Sequence, residues 1–199
     1  METLRERKKA ATRLALHRAA LRLAVERGFT ELTVDAIADA AEVSRRTFSN
    51  YFASKEDALL YGDRSRGERL LEGLRSRPAA EPPWAALRAT AAGLYAGLGT
   101  LDPQWIAQLQ LVRRHPAVLA QQVANHTGLE ADLAAELRRR SPGVDALTSR
   151  VMAAGCLAAL RAATAVWLDE QGAQPLPDLI GQALDILAAS WSHAAVGDR

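Results

Sequence analysis

The segment from Thr33 to Leu59, TVDAIADAAEVSRRTFSNYFASKEDAL, constrains the fold more than any other part of the chain. Thr33 can cap a short helix whose apolar residues share one face. Glu42 and Val43 form a turn that is too brief for the next helix to lie antiparallel, and Ser44 can cap that helix. The segment therefore predicts a helix-turn-helix. The apolar residues of its first helix are Ala36, Ile37, Ala40 and Ala41.

The second helix of this segment is rich in side chains that read nucleic acid. Arg45 and Arg46 at its N-terminus are predicted to contact guanine or phosphate, although the sequence does not decide which of them reads a base. Small polar residues beside them can hydrogen-bond bases or phosphates and let the helix enter a groove. These are Thr47, Ser49 and Asn50, whereas Phe48 and Phe52 are spaced to point back into a core.

The segment resembles the helix-turn-helix of the TetR family of bacterial transcriptional regulators, and the resemblance covers about the first third of the chain. Glu42 departs from the family pattern because the turn commonly has Gly, and Ser49 stands where the recognition helix commonly has an aromatic residue. The matching elements are Gly28-Phe29, Leu32-Thr33-Val34, Ile37-Ala38, Ala40-Ala41, Val43-Ser44, Thr47-Phe48, Tyr51-Phe52 and Ser54-Lys55-Glu56.

The resemblance implies further contacts to DNA. It directs the Tyr51 hydroxyl to a phosphate, and Lys55 adds a cation at the start of the following helix. Thr33 and Ser44 can reach phosphates through their hydroxyl and backbone N–H groups. The basic residues near the N-terminus are expected to form an arm that is mobile until it meets the duplex and that steepens the salt dependence of binding. They are Arg5, Arg7, Lys8 and Lys9.

Composition agrees with this interpretation without proving it. The chain has 199 residues, of which 49% are hydrophobic and 24% charged, as in ordinary globular proteins. Its net charge of +2 is uneven, because residues 1–55 hold 11 Lys and Arg against 7 Asp and Glu, a net charge of +4. The basic part is the part with the motif, although an Arg-rich helix can equally be a solvated face.

Cysteine content and hydropathy predict a cytoplasmic protein. The single cysteine, Cys156, cannot form an intramolecular disulfide, and Arg and Lys interrupt the N-terminal stretch so that it does not resemble a signal sequence. No window approaches the roughly 20 uninterrupted apolar residues that span a bilayer. The apolar run from Val151 to Leu168 is predicted to be a buried helix, and no membrane partner is expected.

Pro and Gly punctuate a chain that otherwise has helical periodicity, which predicts an all-α fold of about nine helices. We predict a helix-turn-helix DNA-binding domain at 1–53 with its motif at about 33–52, a connecting helix at 54–77, and an effector-binding and dimerisation domain at 78–199. Outside the motif, the predicted helices are Leu4–Arg27, Ser54–Arg75, Trp84–Leu101, Pro103–Arg114, Pro116–Arg140, Pro142–Gln171 and Pro177–Ala195.

The last two predicted helices, 142–171 and 177–195, are rich in small residues that let backbones approach closely, so they can pair with their copies in a four-helix dimer interface. A dimer also follows from DNA reading, because one recognition helix contacts too few base pairs and two related by a two-fold axis read a palindrome. The resemblance implies the same arrangement. Periodicity equally allows Trp167 and Trp191 to lie inside one subunit.

The resemblance also implies that the C-terminal domain binds a small-molecule effector. Arg161 interrupts an apolar helix, so its charge needs either Asp185 or an anionic group of the ligand as a partner. For each other candidate, core packing is the alternative interpretation. The candidate lining residues are Trp84, Tyr95, Trp105, Gln108, Leu109, Val112, His126, Met152, Leu157 and Arg161.

Taken together, the residues and the resemblance predict a homodimeric regulator that binds a palindromic operator, with repression resting on family precedent. The four histidines lack metal-ligand spacing, and there is neither a Gly-rich phosphate loop nor a nucleophile elbow, so no metal, cofactor or enzymatic activity is predicted. Two alternatives remain open. They are a cofactor-free helical enzyme with Cys156 as its nucleophile and a helical adaptor for protein interactions.

Overall fold

The computed structural model describes residues 3–96 and 103–194, and every regular element within these ranges is a helix, which confirms the predicted all-α fold. The helices are α1 (Leu4–Arg27), α2 (Val34–Ala40), α3 (Arg45–Ser49), α4 (Lys55–Leu59), α5 (Tyr61–Ser76), α6 (Pro83–Ala96), α7 (Pro103–Arg114), α8 (Pro116–Arg140), α9 (Ala146–Asp169) and α10 (Leu176–Ala194).

Within the described ranges there are ten helices rather than about nine, because the predicted helix from Ser54 to Arg75 is broken at Leu60. The Ser54 side chain caps α4 by accepting a hydrogen bond from the backbone N–H of Asp57 at 3.1 Å. Residues 58–60 are all fully buried. Three consecutive residues cannot share one face of a straight helix, so the chain turns at Leu60 before α5 begins.

The first compact unit comprises Met1–Ser65 and Leu101–Asn125. Helix α1 packs against α2, α4 and α7, and α2 packs against α3. The core joins apolar residues of the predicted helix-turn-helix with residues of α7 and of the start of α8. Among its members are Leu16, Ala20, Ile37, Phe48, Phe52, Leu59, Leu111, Val112 and Val118.

The second compact unit comprises Arg66–Thr100 and His126–Arg199, and in it α10 packs against α9 and α6. Arg140 closes the end of α5, because its guanidinium donates to the carbonyl oxygens of Leu74, Arg77 and Pro78 at 2.7–2.9 Å. By length and hydropathy α9 could cross a membrane, but the core helix of a globular domain passes the same test. Eight residues of α9 are buried in this unit.

Helix α9 begins at Ala146, not at Pro142 as predicted. Its N-cap is Asp145, whose carboxylate accepts a hydrogen bond from the backbone N–H of Thr148 at 2.8 Å. Hydrogen bonds from the Thr148 side chain and backbone lower the pKa of Asp145. The helix therefore begins at a carboxylate that accepts two hydrogen bonds from Thr148, and residues 142–144 form a turn before it. The end of the predicted helix Trp84–Leu101 lies outside the described residues, which stop at Ala96 and resume at Pro103.

The boundaries between the two units fall inside helices: between Ser65 and Arg66 in α5, and between Asn125 and His126 in α8. The first unit also includes the segment 101–125, which the sequence assigned to the effector domain. Chain order alone does not reveal this grouping, because α7 joins the first core through Leu111 and Val112. The division at 53, 54–77 and 78 stays a prediction.

The turn between α2 and α3 carries a left-handed residue, since Glu42 has φ +55°. An L-residue with a Cβ is strained in this conformation, and glycine avoids the strain. We expect Glu42→Gly to raise the free energy of unfolding by up to about 1 kcal/mol, because relief of strain outweighs the greater flexibility of the unfolded chain. Urea denaturation followed by circular dichroism measures the change, and a loss of stability would contradict the strain assigned to Glu42.

Candidate nucleic-acid interface

Helix α3 begins at a cap that fixes its direction. The Ser44 hydroxyl accepts a hydrogen bond from the backbone N–H of Thr47 at 3.1 Å and lies 2.9 Å from the Thr47 hydroxyl. The turn before it is closed by hydrogen bonds from the Val43 N–H to the Ala38 carbonyl and from the Glu42 N–H to the Asp39 carbonyl, both 3.0 Å long. Two rigid connections at one helix end therefore hold α3 against α2.

Helix α3 has one inward and one outward face, as the sequence predicts. Phe48 is 1% exposed and Phe52, just beyond the helix, is 2% exposed, and their ring centroids lie 5.8 Å apart. Thr47 is half-buried. The residues predicted to read DNA occupy the opposite face, where the helix presents donors to solvent. These exposed residues are Arg45, Arg46, Ser49 and Asn50.

The two arginines of α3 differ in their surroundings. The Nη1 atom of Arg45 lies 2.6 Å from Oδ2 of Asp35 in α2, and both side chains are mostly exposed. A surface pair of this kind contributes little to stability, and a phosphate can displace the carboxylate. The Arg46 guanidinium, by contrast, has no hydrogen-bond or ion-pair partner within residues 3–96 and 103–194. Arg46 is thus the α3 arginine that is available without breaking a contact.

Tyr51 and Thr33 flank this surface. Tyr51 is half-buried directly after α3, and the guanidinium carbon of Arg13 lies 5.7 Å from its ring centroid. Thr33 is exposed and caps α2, where its hydroxyl oxygen accepts a hydrogen bond from the Ala36 N–H at 3.1 Å. The Thr33 hydroxyl remains accessible at the N-terminus of α2, where helix geometry favours an anion.

Lys55 is the exception among the predicted DNA contacts. Its ammonium donates to the carbonyl oxygens of Phe29 at 3.1 Å and Leu32 at 2.9 Å, and it lies 4.3 Å from the centroid of the Phe29 ring. The loop between α1 and α2 leaves these carbonyls without helical partners, and the half-buried lysine satisfies them. In the free chain Lys55 therefore stabilises the loop, and its contact to a phosphate stays a prediction.

The basic N-terminal residues lie in a helix and not in a mobile arm. A capping box begins α1, because the Thr3 N–H donates to the Glu6 carboxylate at 2.7 Å and the Glu6 N–H donates to the Thr3 hydroxyl at 3.2 Å. The Thr3 backbone hydrogen bond is the main cause that lowers the pKa of Glu6. The predicted helix Leu4–Arg27 is confirmed with the same bounds, so the expected arm is helical, and the Thr-Glu spacing in the sequence signals its cap.

The first turns of α1 and the end of α3 line one open groove. The sequence does not show that this part of α1 lies next to the recognition helix. It also gives no signal for Thr12, a polar residue that lines the groove. Its cations and hydroxyl groups are suited to a phosphate backbone. The residues that line it are Thr3, Leu4, Arg5, Glu6, Lys8, Lys9, Thr12, Thr47, Asn50 and Tyr51.

The effector candidates divide between the two units. Gln108 and Val112 are buried in the first unit, and Val112 belongs to its core. Arg161 is exposed in the second unit, so its charge needs no partner there, and Asp185 instead pairs with Arg88. The remaining candidates are Trp105 and Leu109 in the first unit, and Trp84, Tyr95, His126, Met152 and Leu157 in the second.

The alternative of an enzyme with Cys156 as its nucleophile has no support in the geometry. Cys156 is fully buried in α9, and burial raises the pKa of its thiol to about 12. The thiolate is the nucleophilic form, so the group is inert at neutral pH. Among the residues that the structure describes, no three or more His, Cys, Asp and Glu side chains form a group that could hold a metal ion.

Two family models match the chain. Residues 16–61 match the model described as bacterial regulatory proteins, tetR family, and residues 81–192 match the MftR C-terminal domain. The HTH-type transcriptional regulator TcmR of Streptomyces glaucescens is 36% identical over 151 residues. This match covers 71% of the chain. It spans 65% of the length of TcmR, which is just under two thirds.

Solved structures share the fold. The TetR-family transcriptional repressor FadR of Thermus thermophilus, in complex with lauroyl-CoA, is 24% identical with a TM-score of 0.60, and the match covers 88% of this chain and 93% of FadR. A complex of SmeT with triclosan is 18% identical with a TM-score of 0.65, over 90% of this chain and 91% of SmeT. SmeT is described as the repressor of the Stenotrophomonas maltophilia multidrug efflux pump SmeDEF.

Proposed function

The chain belongs to the TetR family of bacterial regulatory proteins, and from this premise we propose that it is a sequence-specific, DNA-binding transcriptional regulator. The observation that carries the proposal is the outward face of α3, where Arg46 is exposed and unpaired within the described ranges while Phe48 anchors the helix in a core. An exposed arginine alone would be ordinary surface, so the proposal rests on Arg46 sharing one face with Arg45 and Asn50 on a capped helix that follows a helix-turn-helix turn. An adaptor role would leave Arg46 without a purpose.

We propose that the protein works as a cytoplasmic homodimer through α9 and α10. Large apolar side chains of these helices are exposed in the single chain, Leu147 by 73% and Ile186 by 67%, together with Val151 and Val166. Burial of such surface favours association. Trp167 lies inside its own subunit, so it does not supply this face, and the Trp191 side chain lies outside the description. Two copies then read a palindromic operator.

The effector is proposed to be a small molecule that releases the operator. FadR and SmeT were solved with lauroyl-CoA and triclosan, so these compounds are the first probes for this chain. Release requires that the ligand bind the DNA-incompetent state more tightly than the DNA-binding state, because a ligand with equal affinity for both does not shift the equilibrium between them. A bound ligand at a hundredfold excess over its Kd stabilises the fold by about 2.7 kcal/mol, which a thermal shift detects. A bulky substitution at Leu157, in the second unit, tests its predicted place in the pocket, because an unchanged effector response would refute it.

The direct test is selection of duplexes by the full-length protein from a random-sequence pool, followed by fluorescence anisotropy on the enriched duplex. We expect a palindrome whose two halves lie about one helical turn apart, since a two-fold dimer presents two α3 helices to successive major grooves. Enrichment of no duplex, or of duplexes without internal symmetry, would contradict the proposed function. Gel filtration and sedimentation of the same sample measure the dimer.

The groove beside α3 predicts a specific salt dependence. We expect the double substitution Lys8→Ala and Lys9→Ala to reduce the slope of log affinity against log salt by about 0.9 for each phosphate that is no longer neutralised, so by about 3 to 4 in a dimer. The preference for the selected duplex over an unrelated one should change little, because phosphate contacts carry no sequence information. Anisotropy titrations at several salt concentrations measure both quantities.

The matched control for the lysines removes two exposed cations elsewhere in the first unit, through Arg113→Ala and Arg114→Ala. If the control reduces the slope as much as the lysine variant, the effect comes from net charge and the groove makes no specific contact. A lysine variant with the wild-type slope would likewise refute the groove as a DNA contact.

A further inference from the structure

Arg13 of α1 lies between two tyrosine rings in the first unit. Its guanidinium carbon is 5.7 Å from the ring centroid of Tyr51 and 5.8 Å from that of Tyr61, distances at which a cation is attracted to an aromatic face. Its Nε atom is buried and has no hydrogen-bond partner, and Arg13 forms no ion pair within the ranges that the structure describes. The two rings therefore hold this side chain in place.

Stability alone does not account for an arginine at this position. A buried donor without an acceptor costs free energy, whereas an apolar side chain of similar length would fill the same space without that cost. The guanidinium does offer something that an apolar chain lacks, a flat cationic surface that orients an aromatic ring on each side. The guanidinium of Arg13, which lowers stability through its unpaired Nε, thus lies against Tyr51, the residue expected to bind a phosphate.

Tyr61 extends the arrangement to the start of α5. It is the first residue of that helix, and the guanidinium carbon of Arg64 lies 5.6 Å from its ring centroid. Arg64 also forms an ion pair with Asp57 of α4. The rings and cations therefore alternate from the end of α3 through Tyr51, Arg13 and Tyr61 to Arg64.

We propose that Arg13 is a positioning residue that aims the Tyr51 hydroxyl at an operator phosphate and makes its placement depend on the start of α5 through Tyr61. The inference rests on the proposed function and deepens it. Arg13 acts through Tyr51 and does not itself bind DNA. Removal of Arg13 therefore harms operator binding only while the Tyr51 hydroxyl is present.

A double-mutant cycle tests this dependence. The full-length protein is titrated with a fluorescein-labelled duplex enriched by the wild type, and the variants are Arg13→Met, Tyr51→Phe and their combination. Loss of a hydrogen bond to a charged phosphate weakens binding about tenfold per protomer, and so about a hundredfold for a dimer. We expect each single variant to approach this loss and the double variant to bind no more weakly than Tyr51→Phe alone.

The control is Arg22→Met, which removes the same charge from an exposed position of the same helix. We expect Arg13→Met and Arg22→Met to have equal salt slopes, because a positioning residue releases no counterion of its own. A slope reduced only by Arg13→Met would mean a direct phosphate contact. If Arg13→Met weakens binding equally in the wild type and in Tyr51→Phe, the two residues act independently. Either result overturns the positioning role while leaving the regulator intact.

Circular dichroism first establishes that the variants fold. If Arg13→Met does not fold, Arg13→Gln replaces it in the double-mutant cycle, because the planar amide of Gln keeps much of the length of the side chain without its charge. If the wild type enriches no duplex, the proposed function and this inference fall together.

A second pair of variants tests the connection to α5. Tyr61→Phe keeps the ring and should bind the duplex like the wild type, whereas Tyr61→Leu removes one of the two ring faces that hold Arg13. We expect Tyr61→Leu to weaken binding in the wild type but not in Tyr51→Phe. An effect of equal size in both would overturn the link between Tyr61 and Tyr51.

Discussion

Replacement of Arg46 by alanine should abolish tight operator binding while leaving the protein folded. An arginine that reads guanine contributes about 1–3 kcal/mol of discrimination, and a palindrome is bound by two copies, so the dimer loses about 2–6 kcal/mol. The smallest of these losses is about a 30-fold increase in Kd. Because Arg46 is exposed and has no hydrogen bond or ion pair in the described part of the chain, its removal costs the fold little. Anisotropy titration with the selected duplex measures the effect.

The comparison with Arg45 sharpens this prediction. Arg45 must give up its 2.6 Å contact with Asp35 before it binds DNA, so Arg45→Ala should cost less affinity than Arg46→Ala. Arg22→Ala, exposed on α1, serves as the charge-matched control. If all three variants weaken binding equally and without loss of preference for the selected duplex, α3 contributes only charge, and base reading by Arg46 is wrong.

The features of this site that could be predicted are those whose cause is local in the sequence. Thr33, Ser44 and Ser54 cap helices because each precedes a helical pattern by one residue, and the structure shows all three side chains accepting the expected backbone N–H groups. Phe48 and Phe52 are four residues apart and so lie on one face, as the structure confirms. The outward face of α3 follows from these same residues.

What could not be predicted depends on groups distant in sequence. Lys55 binds the carbonyl oxygens of Phe29 and Leu32, which are 26 and 23 residues away, and nothing in the local pattern signals that they need a donor. Arg13 meets Tyr51 and Tyr61 only after α1 has packed against α4. An exposed arginine and an arginine held between rings have the same local sequence pattern.

The effector region was harder to predict for a different reason. A small-molecule pocket is lined by apolar or aromatic residues with a few polar groups, and a plain core has the same composition. Val112 illustrates the ambiguity, because it belongs to the core of the first unit together with Leu16 and Phe48. Arg161 is a charge in an otherwise apolar stretch, yet it lies on the exposed face of α9, while Leu160 and Ala163 beside it are buried. Periodicity does not distinguish a face covered by a second subunit from one covered by the same chain.

The second large effect is expected from Phe48→Ala, which should unfold or nearly unfold the first unit. Phe48 is among the largest fully buried side chains, and its ring joins α3 to the core beside Phe52. Truncation of a buried phenylalanine to alanine costs about 3–5 kcal/mol, a large part of the roughly 5–15 kcal/mol that a domain has. Operator binding should disappear with the fold. Urea denaturation by circular dichroism measures the loss, and hydrogen exchange shows whether it is confined to residues of the first unit.

Ser49→Ala, one residue along the same helix, is the matched control. Ser49 is exposed, so its removal should change the free energy of unfolding by less than about 0.5 kcal/mol. The contrast between neighbours distinguishes an anchored helix from one that is merely capped, because the cap at Ser44 is present in both variants. If Phe48→Ala also loses less than about 1 kcal/mol, α3 is not held by its buried face. The arginines of α3 would then have no rigid support from which to read a groove, since base readout requires a helix fixed relative to the phosphates.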